Sequence, residues 1–407
     1  MALGGCSSTM QAGIYAVDNN PANLAYHFGR EWSLIGGNFG LTNNVLSISE
    51  YNKFNGSDLE QGGAKADLLK LFELDGWRVF TDFTLIPPFN YVKNNLAFTS
   101  TLIGIGQIKV PYSMFQLMFE GNALEEEYDF DFKEQALLAN EFAFSVGMPL
   151  RKLNVGVSLK HIYGFYYLNL ETEESSFVTD ETAVKSKALF KLQQALGGSG
   201  FALDIGFTTY EVDGWRVACS INNIFGSIEW KDEPSKLSTM LAAIYPDALP
   251  YNAQTIIRNY VLDIDSLNAH RFATLPLDSV ILGYNEDVDF FRNFSTDYPM
   301  FVRLGFSKDY PRVATFFTDF TASFSDELFG VNRWAVSGGV EIDKMRFLPI
   351  RFGLQIGGRD KIAYSTGIGY NTQLLQFDMA IKLNRGFSVN SLKGAEFSFG
   401  LLFRPIY

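Results

Sequence analysis

The sequence predicts an all-β chain, a transmembrane antiparallel β-barrel of the outer-membrane type, and three observations carry that prediction. First, the last part of the chain alternates strictly. Ile362, Tyr364, Thr366, Ile368 and Tyr370 are interleaved with the small residues Ala363, Ser365, Gly367 and Gly369. The same pattern recurs in Leu375-Phe377-Met379-Ile381-Leu383 and in Phe397-Phe399-Leu401-Phe403, before an aromatic end at Tyr407. Period-2 alternation makes a strand with one oily and one polar face. Second, each alternating run lasts about ten residues, the length of a tilted strand crossing a bilayer. Third, the chain is rich in aromatics, with 38 Phe and 19 Tyr, yet contains no apolar run long enough for a helical span.

Read backward from the C-terminus, fourteen strands are expected near 394–405, 375–385, 361–371, 349–358, 334–344, 312–324, 299–308, 215–230, 200–212, 152–168, 137–149, 95–110, 77–87 and 31–42. Their connections alternate in length. Short ones fall at 87–94, 149–151, 212–214, 308–311, 344–348 and 371–373. Long ones fall at 43–76, 111–136, 169–199, 231–298, 325–333 and 386–393, with a tight turn at 358–360 as the exception. Tight turns on one rim and long loops on the other are the habit of bacterial outer-membrane barrels, with the short turns and the C-terminus on the periplasmic side. An even strand count brings residues 1–30 to that same mouth. This segment, rich in Gly, Asn and Ala, is expected to fold back as a luminal plug, or hatch, with 31–407 forming the barrel. Helices are expected in two of the long loops, over Asp58 to Phe72, Pro234 to Ile244 and Ala253 to Leu262, and the 231–298 insertion is expected to cap the outer opening.

Composition narrows the function. A net charge of −12 argues against nucleic acid as a partner. No GxSxG, HExxH, P-loop or CxxC pattern occurs, and His27, His161 and His270 have no ligand-like spacing, so neither an enzyme, a cofactor nor a metal site is expected. The acidic clusters Glu125-Glu126-Glu127 and Glu171 with Glu173-Glu174 lack the spacing of a calcium loop and read as solvated loop charge. Cys219 falls on an outward phase and reads as a small apolar residue. Cys6 follows Leu3-Gly4-Gly5, which looks like a lipoprotein box, but the apolar stretch that precedes such a box is missing. A plain turn is the better reading, with the numbering starting at or near the mature chain.

The inward phases are more informative. Lys160, Asp204, Arg216, Arg303, Asp319, Glu341, Arg351, Asp378, Lys382, Glu396 and Arg404 all fall on them. Charges held out of water need partners, and their mixed signs favour cross-strand pairs that brace the lumen over a water path. Many inward positions are glycine: Gly147, Gly156, Gly206, Gly305, Gly339, Gly353, Gly357, Gly367, Gly369 and Gly400. A row of glycines makes room for a plug or relieves tight curvature of the wall. Phe115, Leu117, Met118 and Phe119, in the 111–136 loop, are candidate lining for an apolar ligand.

The segment Ala2-Leu3-Gly4-Gly5, followed by Asn20-Pro21-Ala22, resembles the N-terminus of the FadL-like outer-membrane superfamily, where a glycine turn precedes an Asn-Pro-Ala hatch motif. Gly200-Phe201-Ala202-Leu203-Asp204-Ile205-Gly206 with Ser220-Ile221-Asn222-Asn223-Ile224-Phe225-Gly226 is similar to the mid-barrel hairpin of PorV-like and related branches, and the strands after Pro299 fit the same group. The resemblance implies a barrel of 14 strands with an N-terminal plug, sited in the bacterial outer membrane and in contact with its lipid. FadL-type members carry hydrophobic small molecules inward through a pocket and a lateral opening. PorV-like members dock on a secretion assembly and so have a large outer-membrane or secreted protein as partner. Both are non-enzymatic. The 231–298 insertion departs from FadL itself.

Overall fold

The computed structural model describes residues 1–10, 13–60, 63–231, 255–267, 293–324, 334–342, 347–386 and 388–405. The strands, numbered here as barrel staves, are β1 (Arg30–Asn43), β2 (Trp77–Ile86, continued by Tyr91–Lys93), β3 (Leu96–Val110), β4 (Lys133–Pro149), β5 (Leu153–Thr179), β6 (Val184–Thr209) and β7 (Trp215–Trp230). They continue with β8 (Phe294–Asp297, then Phe301–Tyr310), β9 (Ala314–Ser323), β10 (Trp334–Ile342), β11 (Ile350–Gly357), β12 (Ile362–Asn371), β13 (Leu375–Asn384) and β14 (Gly394–Phe403). Every stave is antiparallel to the next, and β14 pairs back onto β1 from Trp32↔Phe403 to Thr42↔Gly394, which closes a 14-stranded barrel. Closure removes the unpaired edges that no strand can carry in lipid.

The alternation read from the sequence sets which face meets lipid. Phe352, Leu354 and Ile356 on β11, Ile368 and Tyr370 on β12, and Phe377, Met379 and Ile381 on β13 are exposed outward. Their neighbours Ala363, Ser365 and Lys382 are buried inward. An oily belt this continuous belongs in a bilayer. The tight turns use the backbone chemistry such turns require. Asp213-Gly214, between β6 and β7, has φ of 50° and 79° at its two residues, the left-handed pair of a two-residue hairpin. Pro87-Pro88 interrupts β2 because proline cannot donate to the ladder.

Three expectations are corrected. The stretch 169–199 is not a loop. β5 and β6 run on as 27- and 26-residue strands to a turn at 180–183, where Asp180 accepts from the Thr182 and Ala183 N–H groups at 2.8 Å. Beyond the oily belt no lipid enforces the period, so hydrophobic alternation disappears while the ladder continues. The helix expected from Ala253 to Leu262 is instead a strand, Thr255–Leu267, antiparallel to the outer half of β6 from Thr255↔Ala195 to Leu267↔Val184. Among the described residues no other strand meets that edge of β6, and pairing it outweighs a weak helical spacing. The helix expected from Asp58 to Phe72 is shortened to α2 (Ala64–Phe72), preceded by Gly63 at φ 77°, and a separate α1 (Ile48–Phe54) begins at a Ser47/Glu50 capping box. Pro234 to Ile244, the 325–333 loop and Tyr407 lie outside the described residues.

Residues 2–10 and 13–26 are laid against the inner face of the wall, and the luminal glycines account for how they fit. A Cβ on Gly367 would meet Ala2, on Gly339 and Gly353 Leu3 and Gly4, on Gly305 Ser8, and on Gly400 the Tyr15 hydroxyl. A Cβ on Gly206 would come within 2.0 Å of Asn20 Oδ1, on Gly156 within 2.1 Å of Pro21 and Ala22, and on Gly147 within 2.5 Å of Ala25. The segment is therefore laid against β4, β5, β6, β8, β10, β11, β12 and β14 at places with no side chain. Gly357 and Gly369 instead face Trp334 and Pro349, away from this segment. The buried Cys6 thiol, packed with Leu3 and Phe317, reports on the docking. In a Cys219→Ala background, Gly206→Val should raise the maleimide labelling rate of Cys6 at least tenfold. Gly338→Val, where nothing lies within 4 Å, should leave the rate unchanged.

Candidate functional site: the luminal segment and the apolar cluster above it

The Asn20-Pro21-Ala22 triplet is the knot between segment and wall. Asn20 caps the short 3-10 helix Pro21–Tyr26, its Oδ1 accepting the Ala22 N–H at 3.1 Å, and Pro21 sits in the first helical position, where no N–H is needed. Asn20 Nδ2 donates to the Ser8 carbonyl at 3.2 Å and to Thr208 Oγ1 on β6 at 3.0 Å. Thr208 in turn donates to Asn23, and Asn23 Nδ2 donates to the Ser8 carbonyl at 2.8 Å. Ile14, Val17 and Leu24 pack against Val92, Ala97, Ala143 and Leu402 of the wall.

The charged positions singled out from the sequence fall into separate groups. Lys160 on β5 pairs with Asp204 at 3.0 Å and Glu141 at 3.2 Å, with Asp18 of the luminal segment at 3.9 Å. Burial raises the Asp18 pKa, the Asp204 charge adds to it, and Lys160 and Arg303 pull it back. Asp319 on β9 accepts from the Ser7 and Ser8 N–H groups at 2.8 and 2.9 Å and from the Ser8 hydroxyl at 2.7 Å. Arg303 donates to the Ser7 hydroxyl at 3.4 Å, and Arg216 to the Thr9 carbonyl at 3.1 Å while lying over the Tyr26 ring. Arg404 pairs with Glu31 at 2.6 Å, and Glu31 also accepts the Ile14 N–H at 2.7 Å. Arg351 bridges Glu341 and Asp378, both at 2.5 Å.

Lys382 and Glu396 join a group that sequence reading missed. The turn between β11 and β12 folds inward, so that Arg359 reaches Asp82 on β2 at 3.0 Å and Glu396 on β14 at 3.4 Å, while Lys382 holds Asp360 at 2.9 Å and Glu396 at 3.0 Å. Register puts Gly40 between Asp82 and Glu396, leaving the space that Arg359 crosses. Burial opposes ionisation of Asp360, yet Lys382 and Arg359 hold its pKa below the usual carboxylate range. Nothing in a three-residue turn signals that it folds into the lumen.

Above this polar floor, toward the long-loop rim, the β3–β8 side of the lumen is apolar. Leu137, Ile162, Tyr167, Ala195, Ile228, Trp230 and Tyr298 form one buried cluster, with Ile105 and Phe294 packed on it. Trp230 is fully buried; its ring lies over Gly164 and Gly198 and stacks on Tyr167 at 5.6 Å between centroids. Next to this cluster the wall is irregular. Asn223 and Phe225 on β7 have φ of 60° and 54°, the β6–β7 register shifts twice between Phe201 and Ile205, and β8 breaks at 298–300. Asn223 holds the irregularity to the floor: its N–H donates to Asp204 at 2.7 Å, its Oδ1 accepts from Lys160 at 3.1 Å, and its Nδ2 donates to the Pro299 carbonyl at 3.0 Å.

Phe115, Leu117, Met118 and Phe119 lie outside this cluster, on α3 (Tyr112–Glu120) at the long-loop rim. Phe115 stacks on Phe72 of α2 at 4.1 Å, and Met118 is exposed. His161 faces outward between Phe142 and Phe201 and pairs with Ser199, and His27 is a buried member of the luminal segment.

A closed 14-stranded barrel with its N-terminus inside is the architecture of the FadL-type outer-membrane proteins, and this chain has that fold. The Ralstonia pickettii toluene transporter TbuX is similar at a TM-score of 0.52 and 11% identity, over 99% of this chain and 96% of that one. A Pseudomonas aeruginosa FadL homologue is similar at 0.52 and 11%, with the same coverage. The chain itself belongs to DUF5723, a family of unknown function, whose sequence profile matches residues 21–267. No curated protein matches it.

Asp319→Ala removes the acceptor of three hydrogen bonds at a buried site and strands two backbone N–H groups. Losing bonds to a charged acceptor costs about 3 kcal/mol. The variant should melt at lower temperature in detergent and label faster at Cys6.

Proposed function

We propose that the barrel takes up hydrophobic small molecules across the outer membrane, with the long-loop rim outside. The observation that carries this reading is the buried aromatic layer of Tyr167, Trp230 and Phe294, set above a polar floor and beside an irregular wall. The half-exposed apolar side chains of α3 (Phe115, Leu117, Met118 and Phe119) provide a first contact surface, and residues 1–30 serve as the hatch. TbuX, a toluene transporter, shares the fold and supports the same class of cargo.

Magnitudes favour a lateral exit over displacement of the hatch. Expelling residues 1–28 breaks the hydrogen bonds of Gly4, Ser7, Ser8, Ile14, Asn20, Asn23 and Tyr26 to the wall, each worth about 1 kcal/mol, and uncovers buried charges besides. Opening β7 at 222–226 acts where the register with β6 is already irregular.

Initial uptake of radiolabelled toluene by host cells with and without the full chain tests the reading. The chain should raise uptake several-fold. Gly164→Leu, whose side chain collides with Trp230, should abolish most of the gain while leaving the heat-modifiable barrel band intact on a gel. Uptake equal to that of vector-only cells sinks the proposal. A second reading, a docking barrel for a large protein partner, draws on the β5–β6 hairpin and its added strand, which stand beyond the oily belt as a sheet. A stoichiometric protein partner recovered in mild detergent, with no toluene uptake, would favour it.

A further inference from the structure

The turn between β11 and β12 belongs to the long-loop rim, yet it folds into the lumen. Gly357 and Gly358 begin it at φ of 91° and 67°, a left-handed pair that reverses the chain sharply. The Gly357 N–H donates to the Lys361 carbonyl at 2.8 Å and closes it. Four inter-strand steps, roughly 19 Å along the wall, separate β12 from β2. An arginine side chain alone does not span that distance, so the turn itself leans across the lumen to bring Arg359 to Asp82 on β2. On the way Arg359 meets Glu396 on β14 and crosses Gly40 on β1, where a Cβ would come within 2.8 Å of both Glu396 and Asp82. Asp360, Lys382 and Glu396 form the buried base of this bar. Arg385 donates to the Arg359 carbonyl, and Asn384 Nδ2 to Glu396 at 2.9 Å.

The start of the luminal segment lies directly beneath. The Gly4 N–H donates to Ser365 Oγ on β12 at 2.8 Å, and Ser365 Oγ donates to the Ala2 carbonyl at 3.0 Å. Ser365 is the register partner of Lys382, so the anchor of the segment and the anchor of the turn stand side by side on one inward row. Gln355 on β11 joins them again, since its side chain lies 3.9 Å from a Cβ placed on Gly5 and 3.5 Å from one placed on Gly358.

We propose that the inward turn is a strap. It holds residues 2–5 against β11 and β12 from the long-loop side, and that end of the luminal segment comes free only when Arg359 lets go of Asp82 and Glu396. Two effects do the holding. The bar stands in the way out, and it keeps water from the Gly4–Ser365–Ala2 bonds, each of which water could otherwise replace. Connection alone does not explain the arrangement. A turn that merely joined β11 to β12 would point into water, whereas this one takes two cations and three carboxylates out of it, which is costly even for paired charges. The network can also open while the barrel stays closed, because it is made of side chains and a turn and uses none of the ladder.

The test is the rate of N-ethylmaleimide labelling of the full chain in lipid nanodiscs, read at two positions of the luminal segment. Cys6, which packs on Leu3, reports the strapped end in a Cys219→Ala background. Ala16→Cys, at a fully buried position, reports the middle of the segment in a Cys6→Ala, Cys219→Ala background. Arg359→Ala should speed labelling of Cys6 at least tenfold and leave the rate at Ala16→Cys unchanged. Asp82→Asn, which removes the far hold of Arg359 and keeps the shape of the side chain, should speed Cys6 at least threefold and carries the test if Arg359→Ala does not insert. An unchanged Cys6 rate in both variants overturns the proposal and makes the network a brace of the wall. Equal acceleration at the two positions overturns it as well, because the network would then support the whole fold rather than one end of the segment.

Discussion

Everything in this molecule follows from closing one sheet in a medium that offers no hydrogen bonds. The outward side chains must be oily and the backbone must pair all the way round, so a charge such as Lys160, Asp204, Asp319 or Lys382 is turned inward. There it needs an answer, because an unpaired charge out of water costs several kcal/mol. The luminal segment supplies much of that answer. Asp319 Oδ2 is answered by the backbone of Ser7 and Ser8, Glu31 by Ile14 and Arg404, and Arg216 by Thr9. Wall and segment are thus a single electrostatic unit, and the glycines are where the two come closest.

That unit divides the lumen unequally. Its lower part is filled and polar, and on the β11–β2 side the inward turn at Arg359 carries the charge network further toward the long-loop rim. The β3–β8 side carries the aromatic cluster instead. Asn223 links the two regimes, since one residue carries the left-handed backbone of the irregular wall and also bonds Asp204 and Lys160 of the floor. A shift in the floor would therefore be felt in the wall without any longer relay.

The strands were legible because lipid imposes a strict period on them. β9, β12, β13 and β14 start and stop within a few residues of where the alternation says. The reading failed where lipid no longer acts. The outer ends of β5 and β6 lie beyond the lipid and lose the alternation, and Thr255–Leu267 became a strand because an open edge of β6 was there to meet it. Of the candidate site, the inward charges and the glycine row were readable from phase alone. Their partners were not: Arg359, Asp82 and Asp360 come from a turn and a stave far apart in the chain.

By itself, then, the sequence determined that the chain is a barrel, how many staves it has, which face of each meets lipid, and that the inward glycines either make room for a plug or relieve the curvature of the wall. All of these are consequences of period and local residue size. The tertiary structure alone decided which charges meet, where the wall is irregular and that Tyr167, Trp230 and Phe294 come together. Those depend on the relative stagger of strands separated by long loops, and a one-residue change in stagger would turn every such contact to the other face.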